Sequence, residues 1–271
     1  MAAASFDAFQ RNQSSAFASG AGIGTLAGLI GLGGAEFRLP VLISMFRFGA
    51  LEAVIINKAM SLVVVMSALP FRTGTVSLAT LASFWPVIVN LLGGSLLGAW
   101  FGASWATRLR SDMFYRVIAV LLVGMAVILM LGHSAEGNGQ PLFHGPAQIV
   151  AGLAAGFAIG VMASLLGVAG GELLIPTLII LFGVDVKLAG SLSLAVSLPT
   201  MIVGFGRYSR DATFSVLRQN GGFVLAMAVG SVVGSFIGAQ LLGVIPSAVL
   251  LPVLAVILLI SSVKLWLHRR T

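Results

Sequence analysis

Apolar stretches long enough to cross a hydrocarbon layer recur along most of this chain, and the polar connections between them are short. A spanning helix needs roughly 20 mostly apolar residues. The pattern predicts helical segments near 17–33, 38–48, 52–70, 80–103 and 113–132, then near 148–168, 174–183, 187–205, 221–243 and 246–266. In each set the second segment is too short to span alone. It either crosses obliquely beside its partner or dips in with it as a re-entrant hairpin.

The two sets are copies of one unit. Shifted by 136 positions, the halves align without a gap over about eighty residues. Gly31, Gly34, Glu36 and Pro40 fall on Gly167, Gly170, Glu172 and Pro176, and Ala53, Ala59 and Ser61 fall on Ala189, Ala195 and Ser197. Gly94, Gly98 and Gly102 fall on Gly230, Gly234 and Gly238. Internal repetition of this kind defines the architecture before any single motif does. The expected organisation is a first transmembrane repeat over 1–132, a connecting loop over 133–146 and a second repeat over 147–271.

Charge then orients the halves. Only 8% of residues are charged, against about 25% in a soluble domain. The net charge of +7 therefore carries topology, because cytoplasmic loops collect Lys and Arg. With Arg108, Arg110 and Arg116 placed inside, an inverted second half puts Arg207, Arg210, Arg218 and the basic C-terminus inside too. A parallel repeat of four crossings would leave them outside. The fold class is thus an all-α polytopic membrane protein of two inverted repeats, in the inner membrane, with both termini cytoplasmic. No short apolar leader with a cleavage site is read at the N-terminus.

Several chemistries find no residues. There are no cysteines, so thiolate metal sites and disulfides are absent. His133 and His144 share the polar loop and His268 lies near the C-terminus, none with a partner at ligand spacing, so neither metal nor catalytic residue is expected. No basic stripe interleaved with aromatics suggests nucleic acid. Gly22-Ile-Gly24-Thr-Leu-Ala27 matches a dinucleotide fingerprint by letters, but no strand precedes it. No Walker sequence and no cofactor motif is present.

The remaining chemistry sits at the two glycine clusters. Inverted repeats with interrupted helices build their sites at the repeat interface, near mid-membrane. Gly33, Gly34 and Glu36 form one interruption, and Gly170, Gly171 and Glu172 the other. Pro40 and Pro176 suit the first turn of the helix that follows. Each break would then aim a positive helix end and unpaired N–H groups at an anion. Glu36 and Glu172 either cap those helix starts or carry a coupling proton, since a carboxyl removed from water takes up a proton more readily. Arg38 and Lys58 are cations at membrane depth, with Leu174 and Leu194 at the matching positions. They either pair with Glu36 or supply the positive field of the pocket. Asn57 and Ser193, beside Ser61, Ser191 and Ser197, could orient oxyanion oxygens, although membrane serines also bond their own backbone.

These paired glycine runs resemble the sulfite exporter TauE/SafE family, within the toluenesulfonate uptake permease superfamily, over nearly the whole chain. The family's run of spaced glycines followed by proline is met at Gly24, Gly28, Gly31, Gly33, Gly34 and Pro40, and at Gly160, Gly167, Gly170, Gly171 and Pro176. Ala35, Ala169 and Ser164 replace glycines of the pattern, and the two glutamates stand where an apolar residue is commoner. The resemblance implies transport, often export, of sulfite or small sulfonates. The expectation is a secondary transporter driven by an H⁺ or Na⁺ gradient, with the lipid bilayer and a small anion as its partners. A passive anion channel and a membrane-embedded hydrolase are the rival readings, and a homodimer is left open.

Overall fold

The computed structural model describes residues 12–30, 34–72, 78–131, 141–184 and 186–240, with positions 256, 259, 260 and 263 also helical. Among the described residues there is no strand. The helices are α1 (Gln13–Ile30), α2 (Ala35–Ser44), α3 (Ala50–Arg72), α4 (Leu78–Ser83), α5 (Trp85–Ala106) and α6 (Ser111–Leu131) in the first half. The second half has α7 (Pro146–Leu166), α8 (Gly171–Phe182), α9 (Val186–Tyr208), α10 (Val216–Gln219) and α11 (Gly221–Gln240). The C-terminal segment expected at 246–266 and most of the loop 133–146 lie outside the described residues. Five of the helices are apolar and long enough to cross a membrane, and the protein is polytopic.

Three boundaries differ from expectation. The short helices begin at Ala35 and Gly171, not at 38 and 174. Pro40 and Pro176 are therefore the sixth residue of each helix and not in its first turn. Gly34 and Gly170, at φ 63° and 80°, supply a left-handed turn from which a helix can start at once. The segment expected at 80–103 is divided at Phe84, with Pro86 opening α5. A 3₁₀ turn at Ala212–Ser215, with Asp211 capping the Thr213 N–H, and α10 fill the connection from α9 to α11.

Small residues set the packing. α1 lies against α11, and α5 against α7, each a pair drawn from both halves. A side chain on Gly20 would meet the carbonyl of Met227, and one on Gly156 would meet the carbonyl of Leu91. Gly24 faces Ser231 as Gly160 faces Ser95, and Gly234 faces Ala21 as Gly98 faces Phe157. In every case the second contact is the first moved by 136 positions with the halves exchanged. Backbones this close are what small-residue ladders permit between helices in lipid. Outward faces are apolar, with Leu97 69% exposed and Val150 and Leu225 each 66%. The charged Arg38 and Lys58 are fully buried. This reversal of the soluble pattern is what a bilayer demands.

The order of these contacts gives helix directions. Gly94, Gly98 and Gly102 meet Leu153, Phe157 and Val161 in turn, so α5 and α7 run parallel. The short α8 doubles back along α7. Gln148 Nε2 donates to the Leu181 carbonyl at 2.8 Å, and the Leu142 N–H donates to Ile180 at 3.0 Å, so the end of α8 returns to the start of α7. The pair is antiparallel in this half, a geometry that the oblique crossing and the re-entrant hairpin share.

Candidate functional site

Glycine ends α7. Gly167 takes φ 69°, and the Val168 and Gly167 N–H groups turn back to the Ala163 and Ser164 carbonyls at 3.0 and 3.2 Å. That pairing is a Schellman stop, available to glycine without strain. It occupies the Ala163 and Ser164 carbonyls once each and leaves Leu166 O without a backbone donor among the described residues. Residues from elsewhere donate to all three. Asn57 Nδ2 donates to Leu166 O at 3.0 Å, Lys58 Nζ to Ala163 O at 3.2 Å, and Tyr208 OH to Ser164 O at 3.0 Å. The Ser61 hydroxyl lies 2.7 Å from Asn57 O and 3.3 Å from Gly167 O.

The same Asn57 amide reaches the other break. Its second N–H donates to Ala35 O at 2.9 Å, in the first turn of α2. One side chain thus bridges both glycine interruptions, inside the bundle where α3 meets α2 and α7. Arg38, one turn into α2, directs Nη1 at Asn57 Oδ1 and at Ser61 Oγ, each at 3.4 Å. Glu36, 2% exposed, acts on the Arg38 guanidinium through its charge. Neither α2 nor α8 has a side-chain cap at its start, the caps being Gly34 and Gly170.

The expected residues divide into two groups. Arg38, Asn57 and Ser61 come together with Ala35, Leu166 and Gly167, and Gly34 and Glu36 flank Ala35 at the start of α2. Lys58 reaches the same end of α7 three residues earlier, at Ala163 O, its end group packed beside Gly204 and Ser164. On the second repeat, Gly171 lies next to Ser193, and a methyl added there would sit 3.9 Å from its Oγ. Ser193 donates to its own helix at Gly190 O, 2.9 Å away, and Ser191 is buried. Ser197 is buried one helical turn on, and its hydroxyl meets no hydrogen-bond partner among the described residues. Gly33 and the side chain of Glu172 lie outside the described residues.

Four contributing residues are not found by the sequence reading. Ser164 binds the Ala99 carbonyl at 3.0 Å as well as offering its own carbonyl to Tyr208. Its signal was present, as a serine in a position of the run where glycine was expected. Tyr208 is one of two tyrosines in the chain, and a tyrosine at the end of an apolar helix reads as an interface anchor. The hydroxyls of Ser95 and Thr200 meet at 2.7 Å between α5 and α9, and no spacing rule links them.

Chemically, the site offers a buried planar guanidinium, two of whose contacts are 3.4 Å long, where the two halves meet. Arginine presents fork-shaped donors suited to a flat or pyramidal oxyanion, and contacts of 3.4 Å are weak enough to be exchanged for a better acceptor.

The family model described as Sulfite exporter TauE/SafE matches residues 16–265 of this chain. No curated protein and no solved structure matches it.

Proposed function

This chain belongs to the sulfite exporter TauE/SafE family, and from that premise we propose that it is a secondary transporter that exports sulfite or a small sulfonate across the inner membrane. The observation that carries this reading is the Asn57 bridge, which draws both glycine breaks to the fully buried Arg38. The anion's oxygens would replace Asn57 and Ser61 as acceptors for Arg38. The second repeat contributes neutral hydroxyls, since Leu174 stands where Arg38 does. Lys58 is assigned a structural role at the end of α7, and Glu36 the role of modulating the Arg38 charge by gaining or losing a proton.

Helix directions support inverted halves. α9 runs parallel to α5, with Ser95 at Thr200 and Ser104 Oγ accepting from Arg207 Nε at 2.8 Å. α5 is parallel to α7, so α7 and α9 agree. The short helical turn over 209–220 returns α11 against α9, and α11 is parallel to α1 by the order of Gly230 on Phe17 and Gly234 on Ala21. α1 and α7 then oppose one another. Rocking of such halves about a shared site is the mechanism this arrangement serves.

The test is a thermal-shift titration of purified protein with sulfite, thiosulfate, sulfate, methanesulfonate and acetate, followed by flux in proteoliposomes. A ligand of the folded state raises the melting temperature by mass action. Sulfite or the sulfonate should do so in the natural protein and not in Arg38→Gln. Equal shifts in both proteins would remove Arg38 from the site.

A further inference from the structure

Charged and apolar side chains share one groove where α5 ends and α6 begins. A groove of about 740 Å³ opens there between α6 and the last turns of α7. Its mouth carries Arg110, Asp112, Arg116 and Trp105. Both arginines and the aspartate are exposed, and Trp105 is 38% exposed. Below them the walls are apolar, with Val120 and Leu121 from α6 facing Met162 and Leu165 from α7. From Asp112 to Leu121 the groove follows α6 for about 14 Å at 1.5 Å per residue.

We propose that this groove holds one anionic diacyl phospholipid, its phosphate between Arg110 and Arg116 and one acyl chain along the apolar slot. The argument is complementarity at both ends. A cationic mouth above an apolar slot matches a molecule with a negative head and a hydrocarbon tail. Trp105 sits at the level where indoles occupy the interface. The mouth carries one net positive charge, two guanidiniums against the Asp112 carboxylate. A basic residue at a membrane surface contributes enough to favour an anionic lipid about fivefold over a zwitterionic one. The groove also borders the transport site. Met162 and Leu165 line it, while Ala163, Ser164 and Leu166 of the same turn offer their carbonyls to Lys58, Tyr208 and Asn57. A lipid in the groove therefore braces the turn at which α7 breaks.

The full-length protein in neutral detergent would be titrated with phosphatidylglycerol and with phosphatidylcholine of the same chains, reading thermal unfolding. Phosphatidylglycerol should act at about one-fifth the concentration of phosphatidylcholine. The double variant Arg110→Gln/Arg116→Gln should lose that preference. Val120→Trp, at a position 59% exposed, keeps the charged mouth and fills the slot, and should lose stabilisation by both lipids. Glycerol phosphate, a head group without chains, should stabilise nothing. Equal action of the two lipids, a preference surviving in the double variant, or full stabilisation by glycerol phosphate would each overturn the proposal. The readout involves no transport, so its outcome is independent of the proposed substrate.

Discussion

Arg38 and Lys58 are the same in burial and opposite in use. Both are fully excluded from solvent, yet one faces acceptors that an anion could replace and the other closes the end of a helix. Lys58→Met should therefore lower stability by about 1–2 kcal/mol, the order of a lost buried hydrogen bond, while leaving the anion-induced thermal shift intact. Loss of the shift at unchanged stability would reverse the two assignments. Glu36→Gln removes the titratable neighbour of Arg38 and should flatten the pH dependence of flux in proteoliposomes. An unchanged profile would leave Glu36 with a structural role only. The sequence placed both cations at depth but could not separate them, because their partners, Asn57 and Ser61 for Arg38 on α2 and the Ala163 carbonyl for Lys58 on α3, are fixed only when the helices pack.

At the scale of elements, the glycine ladders govern how closely α1 approaches α11 and α5 approaches α7. A methyl on Gly98 would meet the carbonyl and backbone of Phe157, whereas one on Gly22 or Gly124 meets nothing within 4 Å. Gly98→Ala should cost about 1–3 kcal/mol by overpacking. Gly22→Ala should be neutral or slightly stabilising, as glycine within a helix is unfavourable. Thermal unfolding of the two single variants checks the contrast, and similar losses at both sites would contradict the packing. The ladders were legible as spacing. Their partners were not, since the pairing of first-half with second-half helices depends on how the chain closes.

For the molecule as a whole, the proposed inversion of the halves makes a prediction about sides. The chain has no cysteine, so single substitutions report cleanly. Ser111→Cys and Ser209→Cys should share one face of the membrane, and His144→Cys should lie on the other, as judged by impermeant thiol labelling of whole cells and inverted vesicles. A parallel arrangement would put Ser209 with His144. Loop charge supports that inversion, and contact order along α5, α7 and α9 shows that these three helices run parallel.

Duplication, polytopic character and the glycine breaks were determined by the sequence itself, because composition and periodicity act locally and repeat visibly. The starts of α2 and α8 were missed by three residues: proline was taken as the opening signal when a left-handed glycine had already begun the helix. Only tertiary structure decided that Asn57 joins the two breaks, that the last carbonyls of α7 are met by first-half donors, and that Tyr208 reaches Ser164. A buried carbonyl must find a donor, but which one lies within reach depends on residues up to 109 positions apart, and that distance closes only when the halves pack.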